Sequence, residues 1–159
     1  MVSIFNPTGG KLFDLYRLYQ EYHHKDTASI INLRKVLIDL HKDGYKNIHL
    51  IVHSEGGMIA RRAMEVMPWN IREKMSVHTL GSPIKIPNCY AGKVDNYESS
   101  RDWIKTISRF ALIADKLHGH QISYSVLQCQ HSCFAEHSIH SPTYMGAMEQ
   151  IFESIALSE

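Results

Sequence analysis

Ser54 has the strongest setting for chemistry in this chain. The apolar run Leu50-Ile51-Val52 stops abruptly in His53-Ser54-Glu55-Gly56-Gly57, and a helical pattern follows at once. That order predicts a buried parallel strand, a tight turn presenting one serine, and a helix whose N-terminus points at it. The glycines after the serine permit a strained turn and a close backbone approach that side chains would block. A serine hydroxyl is a weak nucleophile until a base takes its proton. The stretch therefore means something only if the chain also supplies a base, an acid to orient it and donors for an oxyanion. An ordinary strand-to-helix connection containing Ser and Gly reads the same locally.

The elements that must position such a site can be read along the chain. Val2–Phe5 is a short apolar run closed by the loop Asn6-Pro7-Thr8-Gly9-Gly10. Leu12, Leu15, Tyr16, Leu18 and Tyr19 follow at helical spacing, to about Tyr22. Asp26 or Thr27 then caps a helix whose stripe is Ile30, Leu33, Leu37 and Leu40, and Gly44 closes it. After the strand Asn47–Val52, a helix from about Gly57 to Met67 stops at Pro68. Ser76–Gly81, Lys93–Tyr97 and Ile122–Gln128 read as strands, Trp103–Leu117 and Thr143–Leu157 as helices. Alternating strands and helices imply a three-layer α/β/α fold around a mostly parallel sheet of about five strands. We read residues 1–159 as a single domain.

In open parallel sheets the functional site lies beyond the carboxyl ends of the strands. Ser54 follows one strand and Asp102 follows the next but one. The loop after the last strand carries His131, His137 and His140. The chain order Ser…Asp…His, each member at the same sheet edge, is the order of an acyl-transfer triad. Asp102 also reads as a cap for the helix behind it. Asp95 is the runner-up acid, but it falls inside its strand. His53 reads as a packing or hydrogen-bonding neighbour of the serine, Arg61-Arg62 as the exposed face of the following helix, and Met58, Met64 and Met67 as core. One oxyanion donor is the backbone N–H of Glu55 at the helix start. The second has a single candidate source, the Asn6–Gly10 loop, with Asn6 and Thr8 foremost.

Composition narrows the classes. Hydrophobic residues make up 44% and charged residues 21% of the 159, which is globular composition. The formal net charge is +1 without a basic block, so nucleic acid is not expected as a partner. Cys89, Cys129 and Cys133 are too few for a disulfide framework, and a reducing compartment fits them. Met1–Pro7 lacks a basic start followed by an apolar core, so a cytoplasmic location is expected. No apolar run approaches the ~20 residues of a transmembrane helix. The spacing Cys129-x₃-Cys133-x₃-His137-x₂-His140 raises a zinc reading, set against the plainer one of two cysteines packing as small apolar residues.

Four segments, Ile48–Gly57, Ile71-Arg72 before Ser76–Gly81, Asn96-Tyr97-Glu98-Ser99 through Asp102, and His137-Ser138 through Ser141-Pro142-Thr143-Tyr144, resemble those of lipase-like serine α/β-hydrolases. They are most similar to an uncharacterised bacterial family with a His-Ser-x-Gly-Gly elbow. The resemblance covers most of the chain. It implies Ser54 as nucleophile, Asp102 as acid and His137 as base, with His140 in the same loop as the competing base. It also implies no cofactor and no resident metal, and an acyl ester or lipid as substrate. The chain departs from that pattern in three places. The resembling proteins have further strands before the segment matching Phe5-Asn6-Pro7-Thr8, so an N-terminally abbreviated core is expected. A homo-oligomer or a partner chain covering the exposed sheet edge is expected with it. Val52 stands where the usual elbow has glycine, and Glu55 sets a carboxylate beside the oxyanion site. These departures keep open a second reading, a catalytically weak hydrolase-like module serving binding or assembly.

Overall fold

A computed structural model describes residues 26–129 and 137–157. The expected strand Val2–Phe5, the helix after it, and most of the histidine-rich loop lie outside the described residues. Among those described, β1 (Ile48–His53), β2 (Met75–Leu80), β3 (Lys93–Ser99) and β4 (Tyr124–Leu127) form one parallel sheet in the order β1-β2-β3-β4. The register sets His53 against Leu80, and Leu80 in turn against Tyr97. The strand ends that precede Ser54, Gly81 and Ser100 therefore line up along one edge.

Side chains alternate across the sheet as the period of a strand requires. Ile48, Leu50 and Val52 of β1 face a core built with Ile30, Leu33 and Leu37 of α1 (Ala28–Lys42) and Ile59, Ala60, Ala63 and Met64 of α2 (Glu55–Glu65). Ile51, with Leu80 of β2, Tyr97 of β3 and Leu127 of β4, faces a second core with Tyr144, Ala147 and Ile151 of a closing helix. Helices on both faces of the sheet make this a three-layer α/β/α arrangement. Met58, Met64 and Met67 are all buried, as the sequence led us to expect.

Local signals explain where the helices start and stop. Thr27 caps α1 by accepting the Ile30 amide on its hydroxyl oxygen, and His41 and Lys42 sit at the negative end of the helix dipole. Gly44, with φ +86°, then turns the chain toward β1. Pro68 ends the α2 segment as expected, but the chain forms a further turn of helix, α3 (Trp69–Arg72), whose Ile71 is buried against the first core. The β2-to-β3 connection carries only a 3₁₀ turn at Asn88–Tyr90. Asn96, 1% exposed on β3, holds that connection: its amide accepts from the Ile86 N–H and the Thr79 hydroxyl and donates to the carbonyls of Ile86 and Ser123. A buried amide is tolerated because its hydrogen-bonding capacity is met.

The helix α4 (Lys105–Leu117) joins the same face as α1 and α2 through charges. Arg61 does not lie on an exposed face. Its guanidinium pairs with both oxygens of Asp115 at 2.7 and 2.6 Å and also donates to the Lys85 carbonyl. Beneath it Lys85 Nζ lies 2.9 Å from Glu98 Oε2, with both side chains buried, and Ser108 Oγ donates to the same carboxylate oxygen. Because each buried charge has lost its water, the partner matters more than the attraction between them. Lys85→Met is expected to cost about 3 kcal/mol in urea unfolding, because Glu98 stays buried and uncompensated. The double variant Lys85→Met/Glu98→Met should recover most of that loss; equal destabilisation by the single and double variants would show that the pair is not compensating.

Candidate active site

The site stands on the carboxyl ends of the strands. Ser54 leaves β1 with φ 53° and ψ −124°, the one non-glycine with positive φ among the described residues. Such a conformation persists only where its surroundings over-determine it. Here the Ser54 amide donates to the Leu80 carbonyl, extending the β1–β2 ladder past the strand, and the Ser54 carbonyl accepts from Gly57 as the helix begins. A Cβ on Gly57 would stand 2.2 Å from Ser82 Oγ, so only glycine fits there. Val52 does not block the turn. Even a Cβ on Gly56 would meet the Val52 Cβ only at 3.4 Å, an ordinary van der Waals contact, so the branched side chain is accommodated without crowding the turn. Glu55, in the first turn of α2, sets its negative charge at the positive end of the helix dipole, where it favours the helix.

Three of the residues singled out in the sequence come together. Ser54 Oγ lies 2.8 Å from His137 Nε2, and His137 Nδ1 lies 2.9 and 3.1 Å from the two oxygens of Asp102. The carboxylate fixes the tautomer: Nδ1 carries the proton and donates to Asp102, which leaves the Nε2 lone pair to accept from the serine hydroxyl. It is the ring of His137 that reaches Ser54; His140 is exposed, and its amide donates to Ser138 Oγ. Asp95 stays away from this group, 3.2 Å from His78 Nδ1 and 3.1 Å from Lys93 Nζ. Both nitrogens of His137 are engaged, so a zinc site using this imidazole would have to break the row; Cys133 and the expected oxyanion residues Asn6 and Thr8 lie outside the described residues.

Asp102 is 0% exposed and both of its oxygens are shared. Oδ1 accepts the Ile104 amide at 2.9 Å, and Oδ2 accepts the Tyr144 hydroxyl at 2.7 Å. The capping and orienting roles weighed for this residue are therefore not alternatives, because one carboxylate holds the turn before α4 and the imidazole at once. Burial by itself pushes the carboxyl pKa up. The hydrogen bonds from His137, Tyr144 and the Ile104 amide outweigh it and hold the pKa below the ordinary value. Tyr144 belongs to the closing helix α5 (Pro142–Ala156), which Ser141 caps through the Tyr144 amide. Its hydroxyl also accepts the Ser99 amide at 3.2 Å. Gly81 makes room for this pair: at φ +57°, a Cβ there would fall 2.7 Å from the Tyr144 hydroxyl and 2.9 Å from Asp102 Oδ2.

His53 supports the imidazole from behind. Its Nε2 lies 2.8 Å from the His137 carbonyl oxygen, so that nitrogen is the protonated one. The two rings are 5.2 Å apart. Burial, and then the neighbouring His137, press its pKa down from 6.5 to about 4, so His53 is neutral near pH 7. Sequence reasoning gave His53 its hydrogen-bonding role but missed Tyr144, Gly81 and Trp103, whose indole meets the His137 ring edge-on at 5.6 Å. The signal for Tyr144 was its place on the apolar face of a capped helix, since a buried tyrosine hydroxyl needs a polar partner.

No protein-family model, curated protein or solved structure matches this chain.

Two pH-dependent outcomes follow from these contacts. The lowered Asp102 pKa gives stability that is complete above the ordinary value of 3.8 and is lost as pH falls through the folded-state value. Tyr144→Phe removes one donor and moves the folded value back up. The variant is expected to lose about 2 kcal/mol at pH 7, with the deficit shrinking below about pH 4. Urea titrations across that range test it, and a deficit independent of pH would assign Tyr144 to packing alone. For His53 the folded value lies below the unfolded one, so stability should fall as pH drops from 6.5 to about 4. His53→Gln should flatten that part of the profile.

Proposed function

We propose that this protein hydrolyses carboxylic esters through an acyl-enzyme on Ser54. The observation that carries the reading is the continuous row in which Ser54 Oγ meets His137 Nε2 at 2.8 Å and His137 Nδ1 meets Asp102 at 2.9 Å. The strained backbone of Ser54 at the mouth of the sheet, with a helix beginning at the next residue, supports it.

In this reading Ser54 Oγ attacks the ester carbonyl carbon while its proton passes to His137 Nε2. The imidazolium so formed is stabilised by the Asp102 carboxylate. The tetrahedral intermediate then collapses, the bond to the alcohol oxygen breaks, and Nε2 returns the proton to that oxygen as the alcohol departs. Water attacks the acyl-enzyme in the same way, giving its proton to His137 and releasing the acid as Ser54 recovers its own. The Glu55 amide, at the positive end of the α2 dipole, is the first oxyanion donor, and Asn6 and Thr8 remain the proposed source of the second. No step needs a cofactor. The likeness to lipase-like hydrolases favours an acyl ester or a lipid as substrate. No described helix is long and apolar enough to cross a membrane.

A fluorophosphonate probe should label the folded protein at Ser54, and Ser54→Ala should abolish the labelling. Asp102→Asn keeps the size of the side chain but replaces one acceptor by a donor and permits the wrong tautomer of His137, and is expected to slow ester turnover on the order of ten-thousandfold. Folded wild-type protein that neither takes the probe nor turns over short-chain esters would overturn the proposal.

A further inference from the structure

Trp103 follows the acid directly in the chain and is half exposed, at 50%. Its indole stands at 60° to the His137 ring, with the two centroids 5.6 Å apart. Among the described residues that touch His137, Ser54 offers only its hydroxyl, Asp102 is fully buried, and His53 is spent on the His137 carbonyl. Among the described residues against His137, the indole is thus the large apolar surface that stays open to solvent.

The chemistry proposed above gives that position a meaning. When the intermediate collapses, His137 Nε2 hands its proton to the oxygen of the departing alcohol. That oxygen must lie within hydrogen-bond reach of the imidazole, so the group attached to it is carried past the same ring. The acyl part is tethered instead to Ser54, with its oxygen toward the start of α2. An exposed aromatic beside the base therefore meets the alcohol half of the ester and not the acyl half. We infer that Trp103 is the contact surface for the alcohol portion, and that the substrates are esters of apolar alcohols, alkyl or aryl. This inference rests on the acyl-enzyme reading of Ser54.

Two crossed ester series test it. In the first the acyl group is held as acetate and the alcohol is varied through methyl, butyl, hexyl and benzyl. In the second the alcohol is held as methyl and the acyl chain is lengthened from acetate to hexanoate. Wild-type kcat/KM should rise along the alcohol series. Trp103→Ala should reduce the hexyl-to-methyl ratio of kcat/KM by about tenfold, mainly through KM, and Trp103→Phe should restore most of that ratio. The slope along the acyl series should be the same in all three proteins. If Trp103 only packs on His137, its loss lowers every ester equally and leaves the ratio unchanged, which overturns the inference. A ratio that shifts along the acyl series instead also overturns it. Fluorophosphonate labelling separates the two levels: labelled protein with an unchanged alcohol preference in Trp103→Ala overturns this inference alone. Wild-type protein that is neither labelled nor active overturns the acyl-enzyme reading together with it.

Discussion

A carboxylate removed entirely from water is the constraint around which this end of the molecule is built. Asp102 has no exposed surface, so its charge survives only if donors replace the lost solvent. Three separate parts of the chain provide them: the Ile104 amide just before α4, the Tyr144 hydroxyl from α5 and the imidazole of His137. Gly81, at the end of β2, supplies the space, because any side chain there would collide with Tyr144 and Asp102. The last helix is therefore tied to the third strand by polar contacts of Tyr144 with Ser99 and Asp102, and to the second by the apolar cluster of Leu80, Tyr144, Ala147 and Ile151.

The serine turn answers to a different constraint. Its backbone is held in a sparsely populated region, and the strain has to be opposed by bonds that cannot relax. The amide of Ser54 is bonded to the neighbouring strand, and its carbonyl to the first turn of α2. Gly57 lets α2 approach Ser82 more closely than any other residue would allow. Val52, whose branched side chain is in no more than ordinary contact range of position 56, leaves the conformation of Ser54 in place.

Local chemistry decides which parts of this arrangement were legible in the sequence. Thr27 and Gly44 bracket α1 as their types suggest, and the strand cores around Leu50, Val77 and Asn96 fall where the patterning put them. Ser54 and Asp102 were readable because topology brings residues just past parallel strands to one edge. The bare pattern left three histidines open, and what separates His137 from His140 is that the ring of His137 meets Ser54 while His140 is exposed. Arg61 misled because arginine on an amphipathic helix normally faces water; its partner Asp115 is remote in sequence and on a different helix. Tyr144 and Gly81 escaped for a related reason, since their roles exist only toward each other and toward Asp102. Pairings across long sequence separation leave no periodicity to read.

The pairing of His53 with His137 shows how the site meets an electrostatic difficulty. Two imidazoles whose centroids are 5.2 Å apart oppose each other if both are charged. Acyl transfer in the proposed form needs a positive charge on His137 for part of each cycle, so His53 has to remain neutral then. Burial accomplishes this, with a folded-state pKa of about 4. Its neutral form still carries one N–H, and that proton is committed to the His137 carbonyl. A group that holds the backbone of the base without titrating near pH 7 is suited to this place, whereas a lysine would bring a permanent charge and an apolar residue would leave the carbonyl short of a donor. The residue before the serine thus acts on His137 more than on Ser54 beside it.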